Sequence, residues 1–211
     1  MPAKVREGRD PAYGVLHAPD CVELGTGVYD NVHRVALAER DRPVVLRVAP
    51  ARERQFRSER RLMRNEHAGL PWLAPVAHLM PQVIAADWTG QVIGRDRMIQ
   101  TCLDGVPAPE CLGSYPRSTW PSFFRRMGVI ARAVHDVRGP WFGAVAGPGY
   151  ATWSEAVIAS LEDIVADLDG GGLDSADVRK LDGVTGHGRA VLDEVAEPRL
   201  LTGDLRTAFG R

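Results

Sequence analysis

The chain has 211 residues, with 26 basic and 27 acidic side chains and a formal net charge of −1, a balance that gives no support to a general binder of nucleic acids or anionic membranes. Hydrophobic residues make up 45 % and charged residues 25 %, the proportions of a globular protein large enough for one domain or two small lobes. No run approaches the roughly 18–20 apolar residues that span a bilayer, and the opening MPAKVREGRDPAYG has no apolar core of a secretory signal.

Residues 1–20 carry turn formers and little periodicity, and read as a loose arm. Cys21-Val22-Glu23-Leu24 reads as a short strand leading into Gly25-Thr26-Gly27. A second strand follows through Val32, Val35 and Leu37. Glu39 to Pro43 is a polar turn, and the β-branched run Val44-Val45-Leu46-Arg47-Val48 is a third strand. The expected result is a three-stranded antiparallel sheet with the glycines at its first bend.

Residues 51–70 read as one helix, with Phe56, Glu59, Met63, Glu66 and Leu70 on a single stripe. Two carboxylates on an inward stripe need a cationic partner, because a buried unpaired charge is costly. Pro71 to Pro81 reads as a loop. Val83-Ile84-Ala85-Ala86 and Met98-Ile99 are short strand candidates, split by Asp87-Trp88-Thr89-Gly90. Leu103 to Pro109 is a natural linker, so the domains expected are an arm over 1–20, a sheet lobe over 21–103 and a helical lobe over 104–211.

The second half is helical. Thr119 caps a helix with Pro121 in its first turn, and Trp120, Phe123, Phe124, Met127, Ala131 and Val134 recur at helical spacing to about residue 137. Thr152-Trp153-Ser154-Glu155 is a capping-box pattern opening a helix that Gly170-Gly171-Gly172 ends. A weaker helical stretch covers 175–195, interrupted by Gly183, Gly186 and Gly188. Arg199-Leu200-Leu201 makes a short strand running into Thr202-Gly203-Asp204-Leu205.

Three cysteines, Cys21, Cys102 and Cys111, are widely spaced and form no CxxC pair, so no zinc site is indicated. Their odd number fits free thiols in a reducing, cytoplasmic setting. His135, at the end of an apolar helix, reads as a packed or helix-end histidine rather than a nucleophile. The arginine-rich stretch 52–64 also carries Glu53 and Glu59, and reads as a solvated face rather than a nucleic-acid surface.

Four features carry chemistry. Gly25-x-Gly27-x-x-Asp30-x-Val32 follows the pattern GxGxxGxV with Asp30 in place of the third glycine. Glycines at a strand bend let the backbone approach phosphates, although a GxG is also an ordinary hairpin turn. Arg47 lies in a β-branched strand 20 residues after Gly27, where phosphate-binding kinase lobes place a basic side chain. Lysine is more usual there, and arginine offers a bidentate fork. The alternative is an outward arginine on an edge strand. Glu59 is the obvious partner for Arg47, with Glu66 the competing choice. A short strand ending in Gly203-Asp204 resembles a catalytic loop in which an aspartate accepts a hydroxyl proton, although Gly-Asp is also common in ordinary turns.

In this order the chain resembles the aminoglycoside phosphotransferase family of the protein-kinase-like superfamily. The resemblance is carried by GTGVYDNVHRV (25–35), VVLRVAP (44–50), ERRLMR (59–64), MIQTCLDGVPA (98–108), VHDVRGPWFG (134–143), TWSEAV (152–157) and EPRLLTGDL (197–205). It implies an α+β, bilobal protein-kinase-like fold, with an N-terminal antiparallel sheet lobe, a mostly helical and incomplete C-terminal lobe, and nucleotide between them. The implied nucleotide-binding set is Gly25, Gly27, Asn31, Arg47, Glu59, Gln100 and Cys102. Gly25 and Gly27 would cover the phosphates, Arg47 would hold the α- and β-phosphates oriented by Glu59, and the hinge Gln100-Thr101-Cys102 would meet the adenine. Asp204 would be the catalytic base. The implied cofactors are ATP or GTP with Mg2+. The implied partners are a nucleotide and a small hydroxylated acceptor, an aminoglycoside or similar metabolite, and with an aminoglycoside the activity would confer antibiotic resistance.

The chain departs from that family near its end. Thr202 stands where the family has a histidine, and Phe209 where it has an asparagine. Phenylalanine offers no oxygen to magnesium. A second metal-binding aspartate would fall further on. These departures read as a truncated or frameshifted end within the catalytic loop, leaving an inactive or impaired enzyme. The alternative is a non-catalytic nucleotide-binding remnant. Exposed apolar surface on the incomplete helical lobe is expected to drive self-association.

Overall fold

The computed structural model describes residues 21–24, 29–106 and 108–201. The expected arm over 1–20, the glycines Gly25 and Gly27, and the segment from Thr202 onward with Asp204 and Phe209 lie outside the described residues. The chain is α+β. It divides into two compact units: the described residues up to Gln55 together with Pro81–Leu103, and Phe56–Met80 together with the described residues from Asp104 on.

The first unit is a five-stranded antiparallel sheet. Its strands are β1 (Cys21–Glu23), β2 (Asn31–Val35), β3 (Val44–Val48), β4 (Val83–Asp87) and β5 (Arg97–Thr101), in the spatial order β1-β2-β3-β5-β4. Sequence patterning anticipates the first three. It catches only Met98-Ile99 of β5, because Arg97, Gln100 and Thr101 carry no hydrophobic signal. Ladders to β3 on one side and β4 on the other define this internal strand.

The β-branched β3 lies at the centre of the sheet, as strand propensity favours. Its Val44 pairs with Val35 and Thr101, and its Arg47 with Val32 and Met98. Side chains alternate between faces, so Val44 and Val48 share one face, while Arg47 and Met98 share the other. Val35, Val44, Val48 and Met98 are buried.

The β4–β5 connection is held by its own polar groups. Asp87 Oδ1 accepts from the Thr89 amide at 2.9 Å and from its hydroxyl at 2.6 Å. Gly90 and Gly94 adopt φ of +67° and +72°, which favour glycine. Asp87 also faces its cross-strand neighbour Arg97 at 3.2 Å.

The single helix expected over 51–70 is not formed. Short 3-10 turns occupy Arg52–Arg54 and Arg57–Glu59, and α1 runs only over Leu62–Gly69. Gln55 and Phe56 are extended, and Arg61 takes φ of +70° just before α1. Between Ala51 and Arg61 only Phe56 offers a large apolar side chain. No continuous apolar face therefore holds the segment helical, and helix formation relies mainly on such packing. Of the expected stripe, Met63 is buried while Phe56 is 55 % exposed.

The stretch read as a loop after Leu70 is instead a run of 3-10 turns over Leu70–Leu79, with Val76 buried. Pro71 sits in its first turn and Pro75 within it; neither can donate to an α-helical ladder, and the tighter turn tolerates both.

The remaining helices are α2 (Ala108–Cys111), α3 (Trp120–His135), α4 (Trp153–Gly170), α5 (Ala176–His187) and α6 (Arg189–Leu192). α4 begins at a reciprocal capping box: the Thr152 hydroxyl accepts from the Glu155 amide, and Glu155 Oε2 accepts from the Thr152 amide, both at 3.3 Å. Gly183 and Gly186 do not interrupt α5, since a helical glycine costs about 1 kcal/mol relative to alanine without forbidding the helix. Gly188 alone separates α5 from α6. The strand expected at 199–201 is a single bridge, Arg138 to Arg199, with the Leu200 amide on the Val137 carbonyl at 2.9 Å. The core of this second unit contains Met63, Val76, Val134, Phe142 and Ala156. Leu181, Val184 and Val191 are exposed.

Candidate functional site

In the sheet unit Arg47 and Asp30 meet in an ion pair. The Arg47 guanidinium donates from Nε at 2.8 Å and from Nη2 at 2.6 Å to one oxygen, Oδ2, of Asp30. The side chains are 21 % and 5 % exposed. Charge-assisted bonds of this kind are short and roughly twice as strong as neutral ones. They offset the cost of withdrawing the Asp30 carboxylate from water.

The pairing follows from register. Val32 lies opposite Arg47, and Asp30, two residues earlier, continues along the same side of β2. Asp30 stands where the glycine pattern has its third glycine. The sequence reading noted it as a departure and missed it as a partner. Strand parity puts Asp30 on the Val32 face, but only the register that sets Val32 opposite Arg47 makes it a partner, and no local pattern encodes that register.

Asn31 pairs with Val48 and is exposed, on the opposite face from Arg47. Gln100 is fixed inside the sheet, opposite Val45 on one side and Val83 on the other. Thr101 is engaged with Gln82: its amide donates to the Gln82 carbonyl, and its hydroxyl accepts from the Gln82 amide, each at 2.9 Å.

Cys102 is the first residue past the ladder, and the sequence explains why. Continuing the register by one residue brings Pro43 opposite Cys102 on the β3 side, and Pro81 on the β4 side. Neither proline has an N–H to give the Cys102 carbonyl. Among the described residues, the backbone of Cys102 makes no hydrogen bond to another backbone group. Of the three expected hinge residues, Cys102 is therefore the one with main-chain groups outside the sheet. Four residues of strand separate it from Met98, the cross-strand neighbour of Arg47. That is a span of about 13 Å along β5.

Glu59 and Glu66 belong to the second unit, whereas Arg47 belongs to the first. Glu59 ends the turn Arg57–Glu59, where its Oε2 accepts from the Phe56 amide at 3.1 Å. Glu66 lies in α1. Gly25, Gly27 and Asp204 lie outside the described residues. The segment preceding Asp204 is held at Arg199, whose Nη2 bonds Glu197 at 2.8 Å and whose Nη1 lies 3.7 Å from Asp136. A hydrogen bond from Arg132 holds the Asp136 carboxyl below its ordinary value. His135 closes α3, and its carbonyl accepts from Arg199 Nη1 at 3.3 Å, a helix-end role.

Among the described residues no cluster of three or more His, Cys, Asp or Glu side chains could hold a metal ion. No described helix is long and apolar enough to cross a membrane.

No protein-family profile matches the chain, and no curated protein matches it. Among solved structures it is similar to the crystal structure of a "putative aminoglycoside phosphotransferase" from Ralstonia eutropha JMP134. The identity is 15 % and the TM-score 0.46, over 69 % of this chain and 42 % of that one. The chain thus spans less than half the length of that protein. A likeness of this degree leaves the functional reading to the residues themselves.

Proposed function

We propose that the sheet unit holds the nucleotide of an ATP-dependent phosphotransferase acting on a hydroxyl of a small molecule, an aminoglycoside or a similar metabolite. The observation that supports this reading is the placement of two features in one sheet. A charge-paired arginine lies on the central strand, and an expected hinge residue with unladdered main-chain groups lies about 13 Å along the neighbouring strand. That separation is on the length scale of a nucleotide from base to phosphates.

In this reading Arg47 binds the phosphates and Cys102 offers its amide and carbonyl to the base. Gly25 and Gly27 lie against the phosphates, and Asp204 accepts the acceptor's hydroxyl proton. The nucleotide, when bound, supplies the phosphoryl group. Phe209 in the metal-ligand position favours a second reading, a protein that binds nucleotide without turning it over, because hard cations need oxygen ligands.

Calorimetric titration with ATP, with and without magnesium, tests the reading. Binding that is lost in Arg47→Ala, with melting temperature retained, supports nucleotide holding; no binding by the unaltered chain overturns it. Phosphate transfer to an aminoglycoside panel, abolished in Asp204→Ala, favours the enzyme; binding without transfer favours the second reading.

A further inference from the structure

The second unit carries a cavity of about 420 Å³ between α4 on one side and α5 and α6 on the other. Small-molecule sites occupy about 300–1,000 Å³. Ile158 and Glu162, one turn apart on α4, form one wall. Asp182, Gly183, Gly186 and His187 of α5 form the other, with Arg189 of α6. We infer that this cavity binds a small organic zwitterion, whose ammonium group meets Glu162 and Asp182 and whose carboxylate meets Arg189. The inference is independent of the nucleotide reading above.

The glycines shape the cavity. Gly183 and Gly186 stand inside α5, where among residues other than proline glycine is the least favourable. Neither has the positive φ that calls for glycine. A Cβ at either would meet nothing within 4 Å beyond the helix's own backbone. Neither conformation nor close packing therefore requires glycine at these two positions. Their missing side chains leave the α5 wall open.

The charges select the ligand. Among the described residues neither the Glu162 nor the Asp182 carboxylate has a hydrogen bond or an ion pair, although Asp182 is half-buried. Other aspartates of the same two helices are engaged: Asp167 by the Arg57 amide, Asp169 by Arg179 and Asp177 by Lys180. His187 Nδ1 donates to the Gly183 carbonyl at 2.6 Å, since a carbonyl only accepts, and this leaves Nε2 as an acceptor. Two carboxylates and an imidazole nitrogen match the three N–H donors of an ammonium group. They do not gather into a cluster that could hold a metal ion, so their spread suits a larger ligand. The planar fork of Arg189, lining the same cavity, suits a carboxylate. A lining of both signs is matched by a ligand of both signs.

Calorimetric titration of the full chain tests this with glycine, β-alanine, γ-aminobutyrate and ε-aminocaproate, against butylamine and butyrate. At least one zwitterion should bind about tenfold or more tighter than either singly charged compound, the scale of one charged hydrogen bond. Glu162→Gln and Arg189→Gln should each weaken that zwitterion by a similar factor. Gly183→Ala and Gly186→Ala set a methyl into open space, so they should weaken it while the urea midpoint holds or rises, alanine being the better helix former. No binding by any zwitterion overturns the site, as does butylamine or butyrate binding as tightly as the best of them. Full affinity in both glycine variants, or in both glutamine variants, puts the ligand elsewhere and overturns it too.

Discussion

Ser154 presents both its amide and its hydroxyl to Asp193, at 3.0 and 3.1 Å on the two carboxylate oxygens. Ser154 is in the first turn of α4 and is only 1 % exposed, while Asp193 follows α6. A carboxylate from a distant part of the chain thus serves the N-terminus of α4, where amides lack intrahelical partners. The Ser154 amide, followed by the Ser154 and Thr152 hydroxyls, holds the Asp193 carboxyl below its ordinary value against a smaller opposing effect of burial.

The sign of the resulting pH dependence follows. A folded-state value below the unfolded one means that the contribution is complete above about pH 4 and is lost as pH falls through the folded value. Asp193→Asn should lower the urea midpoint at pH 7 and flatten the loss of stability between neutral and acid pH. Parallel pH profiles for the two proteins would show that Asp193 contributes nothing to acid sensitivity.

Met98 tests the sheet core. It lies beside Arg47 in register and is 1 % exposed. Truncation of a buried methionine to alanine removes transfer energy and leaves a cavity, at about 2–5 kcal/mol. Met98→Ala should lower the urea midpoint accordingly without changing the protein's ability to refold. A change below about 1 kcal/mol would place Met98 outside a packed core.

The sequence made some of this legible and hid the rest for physical reasons. Strands β2 and β3 and helices α3 and α4 carry regular apolar periods, a proline start or a capping box, and those local signals decide their structure. The segment 51–61 carries seven charged arginine and glutamate side chains and a single phenylalanine, and local charge specifies no face; tertiary context broke the expected helix at Gln55, Phe56 and Arg61. β5 was half hidden because an internal strand is specified by two partners rather than by its own pattern. At the candidate site Arg47 was legible from its strand and spacing. Its partner was not, because Asp30 and Arg47 are brought together by a register that no local pattern encodes. Cys102 was expected only as one of three hinge residues, and its separation from Gln100 and Thr101 depends on two prolines outside β5.

Gly143 tests the backbone of the loop after α3. It adopts φ of +111°, and a Cβ there would lie 2.9 Å from the Pro148 carbonyl oxygen and 3.1 Å from the Tyr150 ring. Both the conformation and the space exclude a side chain. The reciprocal bonds between Phe142 and Tyr150, at 3.0 and 2.9 Å, close this loop. Gly143→Ala should cost about 1–3 kcal/mol and increase hydrogen exchange at Phe142 and Tyr150. Unaltered exchange at both amides would mean the loop tolerates a side chain at that position.

Cys102 provides a chemical probe of the proposed nucleotide site that needs no acceptor. Its thiol is half-buried and free, and its Sγ lies 3.8 Å from the Leu103 carbonyl oxygen. Cys21 is exposed and Cys111 half-buried, so both serve as internal references within one sample. A nucleotide whose base rests on the Cys102 main chain would shield that thiol and leave the other two alone. Alkylation by iodoacetamide, followed site by site by mass spectrometry, should therefore slow several-fold at Cys102 under saturating ATP, with unchanged rates at Cys21 and Cys111. Adenosine should protect as ATP does, because the base and not the phosphates covers this end. In Arg47→Ala, protection should need higher ATP concentrations but reach the same limit. Equal Cys102 rates with and without bound nucleotide would move the base away from β5, and with it the assignment of the two prolines as the device that frees the hinge.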